Sequence, residues 1–526
     1  MHRALTIPEL LDIIFSSTNE LANARAVSVC KTWSGVARDA LWRDVRGLHR
    51  LFCLLAPVIR YSSHYEFQRR IEPSDWTNFN TMATRIKHFT VEDLEDRKFR
   101  DIDLGMVATT RRSIHILPNL TQLTLTMRDE GQFWFSVIFL HENLQRLVLK
   151  IPDAFPPQNL LTEVSLRCAK LCYLDLEMSN PSRVEGALAD MLSSLTNLKT
   201  VIMPCYTISS PIMTSLTRLP NLGTIQSQCF TDRGSEDPAA VQPFSPVLHE
   251  GAFPSLRKLT FDSNLCDTAA FFTANFAPVN ITYLCVQTAS IETPLSFFEC
   301  LTTLSHTCEK LRVLAFYLTV DGSRQTFNEI SESISFKDIC PILDLPHLTA
   351  FELTHYRPLD ISDDNIDHLA RNWPELVSLD LNPGPVVLEN PKITFGSFSS
   401  LARHCPKLGR LGLFLDPSPD NLPTPAVPFK MLNTLDLGTS PIQSEVHDQV
   451  ALYLSEICHF LARWRLESGV IWCLSLTSWA TPILAPKFEG DRRSGDVCVI
   501  SYHYLPSCDA KRDGGRKIWK ESCKIL

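Results

Sequence analysis

Cys405-Pro406-Lys407-Leu408-Gly409-Arg410-Leu411-Gly412-Leu413 is the stretch that decides the fold. Leu408, Leu411 and Leu413 stand at i, i+3 and i+5, and the same spacing recurs along the chain. It returns in Leu120/Leu123/Leu125, Leu144/Leu147/Leu149, Leu171/Leu174/Leu176, Leu198/Val201/Met203, Leu256/Leu259/Phe261 and Ile281/Leu284/Val286. It returns again in Leu311/Leu314/Phe316, Leu348/Phe351/Leu353, Leu376/Leu379/Leu381 and Leu432/Leu435/Leu437. Ile86/Phe89/Val91 reads as a first member and Leu222/Ile225 as a degraded one. From one triplet to the next the steps are 34, 24, 27, 27, 24, 34, 25, 30, 37, 28, 32 and 24 residues. The last two apolar residues of each triplet alternate with others, so they share one face of a short strand. A unit this small cannot bury that face alone, so the units must stack.

A period in the twenties to thirties headed by L-x-x-L-x-L is the leucine-rich-repeat signature. Helical spacing appears between the strands, in Leu188/Met191/Leu192/Leu195, in Phe297/Phe298/Leu301/Leu304 and in Phe395/Phe398/Leu401/Ala402. Ser362-Asp363-Asp364 opens another helix, with Ser362 or Asp363 as its cap and acids at its positive end. The expected fold is therefore α/β: three N-terminal helices, then a right-handed leucine-rich-repeat solenoid with a parallel inner sheet and outer helices. The expected divisions are 1–45 for the helical unit, 46–83 for a helical linker, 84–440 for about twelve to thirteen irregular repeats, 441–484 for a helical cap and 485–526 for an irregular tail. Trp472, Leu474, Leu476 and Trp479 offer one further strand. Inserts at 231–254, 382–391 and 416–428 break the period, and loop length of this kind costs little.

Composition narrows the function. The apolar fraction of 44% supports a large core, and the net charge of −8 does not favour nucleic acid. No apolar run reaches the length of a membrane span. The 17 cysteines are scattered among the repeats without a framework of pairs, as expected of reduced thiols in the cytoplasm or nucleus. No phosphate loop, H-E-x-x-H or G-x-S-x-G motif is present, so no catalytic residue, metal ligand or cofactor is expected.

Residues 5–45 read as three short helices. Thr6/Glu9 and Ser17/Glu20 fit the S/T-x-x-E capping box. Ile7, Leu10, Leu11, Ile14 and Phe15 form the apolar stripe of the first helix. Leu21, Ala24 and Val27 carry the face of the second, and Val29, Cys30, Trp33, Val36, Ala37 and Ala40 that of the third. The stretches Ile7-Pro8-Glu9-Leu10-Leu11-Asp12-Ile13-Ile14-Phe15, Val29-Cys30-Lys31-Thr32-Trp33 and Leu41-Trp42 resemble an F-box. A plain three-helix cap on the solenoid is the alternative reading. With its loose Cys-Pro-x-Leu repeats the whole chain looks most like the large F-box families of mushroom-forming fungi. That resemblance implies docking of a Skp-type adaptor, and through it a cullin, at Pro8, Leu10, Ile14, Val29, Cys30 and Trp33. It implies a receptor subunit of a ubiquitin ligase, with an unidentified protein substrate on the repeats. A scaffold outside the ubiquitin pathway is the rival.

The inner sheet face is where a protein partner is expected. Strand alternation puts Arg146, Lys150, Tyr173, Asp175 and Glu177 there, with mixed charge. It also brings Tyr283 beside Val313, Cys285 beside Ala315 and Gln287 beside Tyr317. Tyr283, Val313, Ala315 and Tyr317, with Phe414 further along, are the expected partner-binding residues. The 231–254 insert either leaves this patch open or folds over it.

Overall fold

The computed structural model describes residues 3–91, 98–126, 134–151, 157–178, 181–228, 237–318, 332–418, 423, 427–441, 447–457 and 463–466. Fifteen strands form one sheet in which every strand pairs in parallel with its neighbours in chain order. They are Asp44–Arg46, His88–Val91, Gln122–Thr126, Arg146–Ile151, Tyr173–Met178, Thr200–Pro204, Thr224–Gln228, Lys258–Asp262, Tyr283–Thr288, Val313–Leu318, Ala350–Thr354, Ser378–Leu381, Arg410–Leu413, Thr434–Gly438 and Arg463–Leu466. Every triplet read from the sequence supplies one strand of an α/β repeat solenoid. Leu314, Phe351, Leu379 and Leu411 are register partners and fully buried, so one continuous apolar stack runs through the repeats. Helices between strands, such as Pro294–Thr307, Asp363–Asn372 and Gly396–His404, close the other side of that stack. The degraded unit has a physical explanation. Its third position is Ser227, which is buried and donates to Asp262 Oδ2 at 2.5 Å, so a hydrogen bond stands where an apolar residue packs elsewhere.

Two recurring devices and one single contact join the units. Cys168, Cys308 and Cys405 each sit just past a helix and are buried; the Cys405 thiol lies 3.5 Å from the carbonyl of Trp373 in the preceding unit. Burial pushes the Cys168 and Cys405 thiols up to about 12, which keeps them protonated and inert. Asn119, Asn197 and Asn221 donate to carbonyls of the unit before, at 2.6, 2.9 and 3.4 Å. Ser362 forms the capping box of its helix with Asn365. The neighbouring Asp363 carboxylate accepts from the backbone and hydroxyl of Thr394 in the next unit, at 2.8 and 2.5 Å.

Several expectations need correction. The linker is not one helix. It holds the helices Leu48–Phe52 and Pro73–Ala83 and the strands Val58–Arg60 and His64–Phe67, which form a small sheet with Lys98–Phe99 from beyond it and pack Phe67 and Phe99 around Phe52. The main sheet starts at Asp44–Arg46, inside the stretch assigned to the helical unit, because Val45 pairs with Phe89 and is buried. At the other end the helix His447–Ile457 is followed by the strand Arg463–Leu466, so it belongs to a further repeat and does not close the array. The expectations for Trp472–Trp479 and for 485–526 lie outside the described residues.

The described part of the 231–254 insert does not cross the concave face. Phe244 packs on Phe261 and Phe271 with ring centres 5.1 and 5.5 Å apart, and its N–H donates to Asp267 in the first turn of the helix Leu265–Thr273. Ser210 donates to Pro243, and Val247 donates to Thr214, so the segment runs along the start of the helix Ser210–Leu216. It fills the outer layer of a unit that has only a single 3₁₀ turn, Pro238–Val241, among its described residues. The 382–391 insert is also tied down. Asn382, at φ +51°, bridges the backbone of His355 and Arg357, accepting at 3.0 Å and donating at 2.7 Å.

Candidate functional site

Two surfaces merit attention, the N-terminal helices and the concave sheet face. Helix α1 spans Pro8–Ser16, α2 Glu20–Ala26 and α3 Lys31–Arg43. The core of this unit is small: Leu11, Phe15, Ala26 and Ala37 are buried, with Leu5, Val27, Trp33, Val36 and Ala40 around them. Leu11 and Phe15 lie one turn apart and point inward. Ile7, Leu10 and Ile14, at the spacing of one helix face, point to solvent, and Ile13 is 64% exposed. This is a large exposed apolar surface for so small a unit, which makes it a candidate interaction face.

Neither expected capping box forms. Ile7 occupies the cap position of α1 with Pro8 as its first residue, and Asn19 caps α2 by accepting from the Ala22 N–H at 2.9 Å. The inward face of α2 is also different from that expected: Asn23 and Ala26 are buried and Leu21 is exposed. Asn23 earns its burial by donating to the Phe15 carbonyl at 2.9 Å and accepting from Thr18 at 2.5 Å, which satisfies the end of α1.

The six expected adaptor residues separate into two groups. Pro8, Leu10, Ile14 and Val29 are exposed, Val29 by 54%. Cys30 is the half-buried cap residue of α3. Trp33 is an internal brace: its ring meets Phe15 edge-on at 5.5 Å and its indole N–H donates to the Leu5 carbonyl at 2.9 Å. Ile13 is the residue the sequence reading passed over. Salt bridges tie the unit down, Arg43 to Asp12 within it, Arg50 to Glu20 at 3.0 Å and Arg85 to Asp39 from the first repeats.

On the concave face the register is as expected: Tyr283 pairs with Val313, Cys285 with Ala315 and Gln287 with Tyr317. Accessibility is not. Tyr283, Val313 and Tyr317 are half-buried, whereas Cys285 and Ala315 are enclosed. Phe414 is buried, so it is not a surface contact. Desolvation drives the Cys285 thiol well above its ordinary range.

The surrounding charges fall into two kinds. In the earlier repeats opposite partners meet across the register: Lys150 lies 3.1 Å from Glu177, and the Arg146 guanidinium sits 3.5 Å over the Tyr173 ring. Asp262 is fully buried and accepts from the Tyr206 N–H and the Ser227 hydroxyl, so it is structural. In the later repeats like charges are neighbours. Glu352 pairs in register with Asp380, Asp380 with Gly412 and Gly412 with Asp436. Asp380 is only 8% exposed and accepts from Arg410 Nη2 at 3.0 Å. Burial, and then the Glu352 charge, push its carboxyl up to about 7 against the pull of Arg410. Tyr317 donates its hydroxyl to Glu352; burial and the adjacent carboxylate hold the phenol far above its usual range.

Among the described residues no three His, Cys, Asp or Glu side chains are grouped to hold a metal ion, and no helix is long and apolar enough to cross a membrane. No family model matches the chain, and no curated protein matches it. Solved structures similar to it include the crystal structure of the Rad7 and Elc1 complex in yeast, at 15% identity and a TM-score of 0.39 over 81% of this chain and 92% of that one. The leucine-rich repeat-containing protein LegL7 from Legionella pneumophila is similar at 11% identity and a TM-score of 0.31, over 52% of this chain and 85% of that one. The TLR13–ssRNA13 complex is similar at 16% identity and a TM-score of 0.28, over 70% of this chain and 48% of that one.

Proposed function

We propose that this chain is a non-catalytic receptor subunit of a Skp–cullin–F-box ubiquitin ligase, acting in the cytoplasm or nucleus. The three N-terminal helices dock a Skp-type adaptor, which joins a cullin, and the concave face of the solenoid holds the protein to be ubiquitinated. The chain itself makes and breaks no bonds. It raises the local concentration of its substrate beside the ligase machinery. The observation that carries this reading is the outward row Ile7, Leu10 and Ile14, with Ile13 and Val29, on a unit whose own core buries four apolar residues. Burying an exposed leucine or isoleucine against a partner contributes roughly 1–2 kcal/mol each.

Co-expression with a Skp-type adaptor tests this. Leu10→Glu with Ile14→Glu changes only exposed positions, so the unit stays folded. The double variant is expected to lose adaptor and cullin co-purification by at least tenfold while the wild-type chain retains both. Undiminished adaptor capture by the double variant, or no capture by the wild-type chain, overturns the reading and leaves the scaffold alternative.

A further inference from the structure

We propose that the edge of the main sheet where the strands Tyr173–Met178 to Val313–Leu318 begin docks an acidic segment of the protein partner. The segment lies extended across the strands, with a carboxylate at every third residue and an apolar side chain between two of them. This rests on the reading that the solenoid holds a protein, and it names the chemistry of that protein.

The turns leading into these strands carry Lys170, Lys199, Arg218, Arg257, Lys310 and Arg312 against Glu250 and Glu309, all exposed. Backbone bonds fix the order along the edge. The Gly223 N–H donates to Lys199 at 2.9 Å, Arg257 to Gly223 at 3.0 Å, Thr282 to Arg257 at 2.8 Å and Arg312 to Thr282 at 2.9 Å. Lys199, Arg257 and Arg312 therefore stand at the entry of every second strand, with the small residues Gly223 and Thr282 between them. Strands lie about 4.8 Å apart, so these cations recur at about 10 Å.

An internal comparison shows that the charge is left standing. Two residues before its strand, Lys407 pairs with Glu375 at the same position of the preceding unit. Lys310 and Lys170 hold that position in their own units and meet Asn280 and Asn143, whose amide oxygens accept at 2.6 and 2.9 Å. Those contacts satisfy a donor without cancelling a charge. Arg257 donates to the carbonyl of Leu256, which is also neutral. Among the described residues none of these cations is paired with a carboxylate.

A second observation falls in the same place. Phe276 lies in the turn that leads to Thr282, so its unit sits between those of Arg257 and Arg312. It is 52% exposed and held at φ +67°, a strained setting for a bulky side chain, and Val279 beside it is 41% exposed. The middle of the cationic row thus offers an apolar contact.

The spacing selects the partner. An extended peptide advances about 3.3 Å per residue, so every third side chain falls about 10 Å along, in step with alternate strands. Single-stranded nucleic acid needs a ring for each stacked base, and Phe276 is the aromatic residue of these turns. An anionic membrane would also lie over Glu142 before the row and Asp344 after it, both exposed, whereas a short peptide touches neither.

The test titrates fluorescein-labelled Ser-Glu-Ser-Phe-Glu-Ser-Ser-Glu-Ser into the full chain at low ionic strength, read by anisotropy. Saturable binding is expected, absent when glutamine replaces glutamate and several-fold weaker when the same residues are reordered with the glutamates adjacent. Lys199→Gln with Arg257→Gln and Arg312→Gln should weaken binding at least tenfold, and Phe276→Ser several-fold. Glu375→Gln with Lys407→Gln, at the paired turn, should leave it unchanged. No saturable binding, equal binding of the reordered peptide, or an equal loss in the paired-turn variant overturns the inference. Tighter binding of decauridylate or of phosphatidylserine vesicles, lost in the triple variant, also overturns it and assigns the row to that ligand. Thermal melts establish that each variant is folded. Adaptor co-purification is scored separately: peptide binding lost with the adaptor retained fails this inference alone, and the reverse fails the ligase reading alone.

Discussion

The N-terminal helices and the solenoid place their apolar side chains in opposite ways. The solenoid turns its leucines inward, in a stack that passes from Phe89 to Leu435 through register partners almost without exposure. The helical unit buries Leu11, Phe15, Ala26 and Ala37 and exposes Ile7, Leu10, Ile13, Ile14, Leu21 and Val29. A repeat is stabilised by the units on either side, so its stability is shared along the array. The helical unit packs on the solenoid at one side, and among the described residues nothing covers Ile7, Leu10, Ile13 and Ile14. Damage should therefore spread in the solenoid and stay local in the helices.

Leu379→Asp probes the first half of that contrast and should have the largest effect. Leu379 is fully buried between Phe351 and Leu411, and an unpaired carboxylate there costs several kcal/mol. The adjoining repeats should unfold, seen as loss of the cooperative thermal transition by circular dichroism. Ser378→Ala, one residue away on the half-buried inner row, should melt within about 0.5 kcal/mol of wild type. Equal melting of the two variants would mean that the stack is not continuous.

Trp33→Ala probes the second half. The indole braces Phe15 and holds Leu5, so the substitution should cost the helical unit roughly 2–4 kcal/mol. Proteolysis should then begin before residue 44 while the solenoid transition remains. Adaptor capture would also fall, but through unfolding, which separates this variant from Leu10→Glu with Ile14→Glu. A Trp33→Ala chain that resists protease as wild type does would show that the brace is not needed.

The strands were legible because two apolar residues in alternation, repeated at a fixed period, have few other uses. The terminal strands escaped because Asp44–Arg46 carries a single apolar residue, Val45, and Arg463–Leu466 follows a helix that reads as a cap. The outward face of α1 was legible as residue type but not as direction. Ile7, Leu10, Leu11, Ile14 and Phe15 form one broad stripe in sequence, and only packing against α2 and α3 decides which part is covered. The burial of Asn23 was hidden, since its partners are Thr18 and the Phe15 carbonyl, a backbone group without a sequence signal. The acidic row was half visible. Alternation puts Glu352 and Asp380 on the inner face, but the enclosure of Asp380 depends on the missing side chain of Gly412 and on Arg410, thirty-odd residues away.

That enclosure gives the smallest of these effects and the one with a pH signature. The folded state holds the Asp380 carboxyl at about 7, above its ordinary 3.8, because burial and Glu352 disfavour the charged form more than Arg410 favours it. A group raised in this way binds its proton more tightly in the folded chain. Its contribution to stability is full below about pH 4 and is lost as pH rises through about 7. Asp380→Asn removes the titration and keeps a polar side chain of the same shape over Gly412. The variant should thus lose part of the decline in stability between pH 4 and 7. At pH 8 it should equal or exceed wild type by about 1–2 kcal/mol, the loss of the Arg410 ion pair offsetting some of the gain. Denaturant melts of both proteins at pH 5 and pH 8 measure this. A variant less stable than wild type at pH 8 by the same margin as at pH 5 would mean that Asp380 is ionised in the folded chain throughout. The later repeats would then be balanced by Arg410 as the earlier ones are by Lys150 and Arg146.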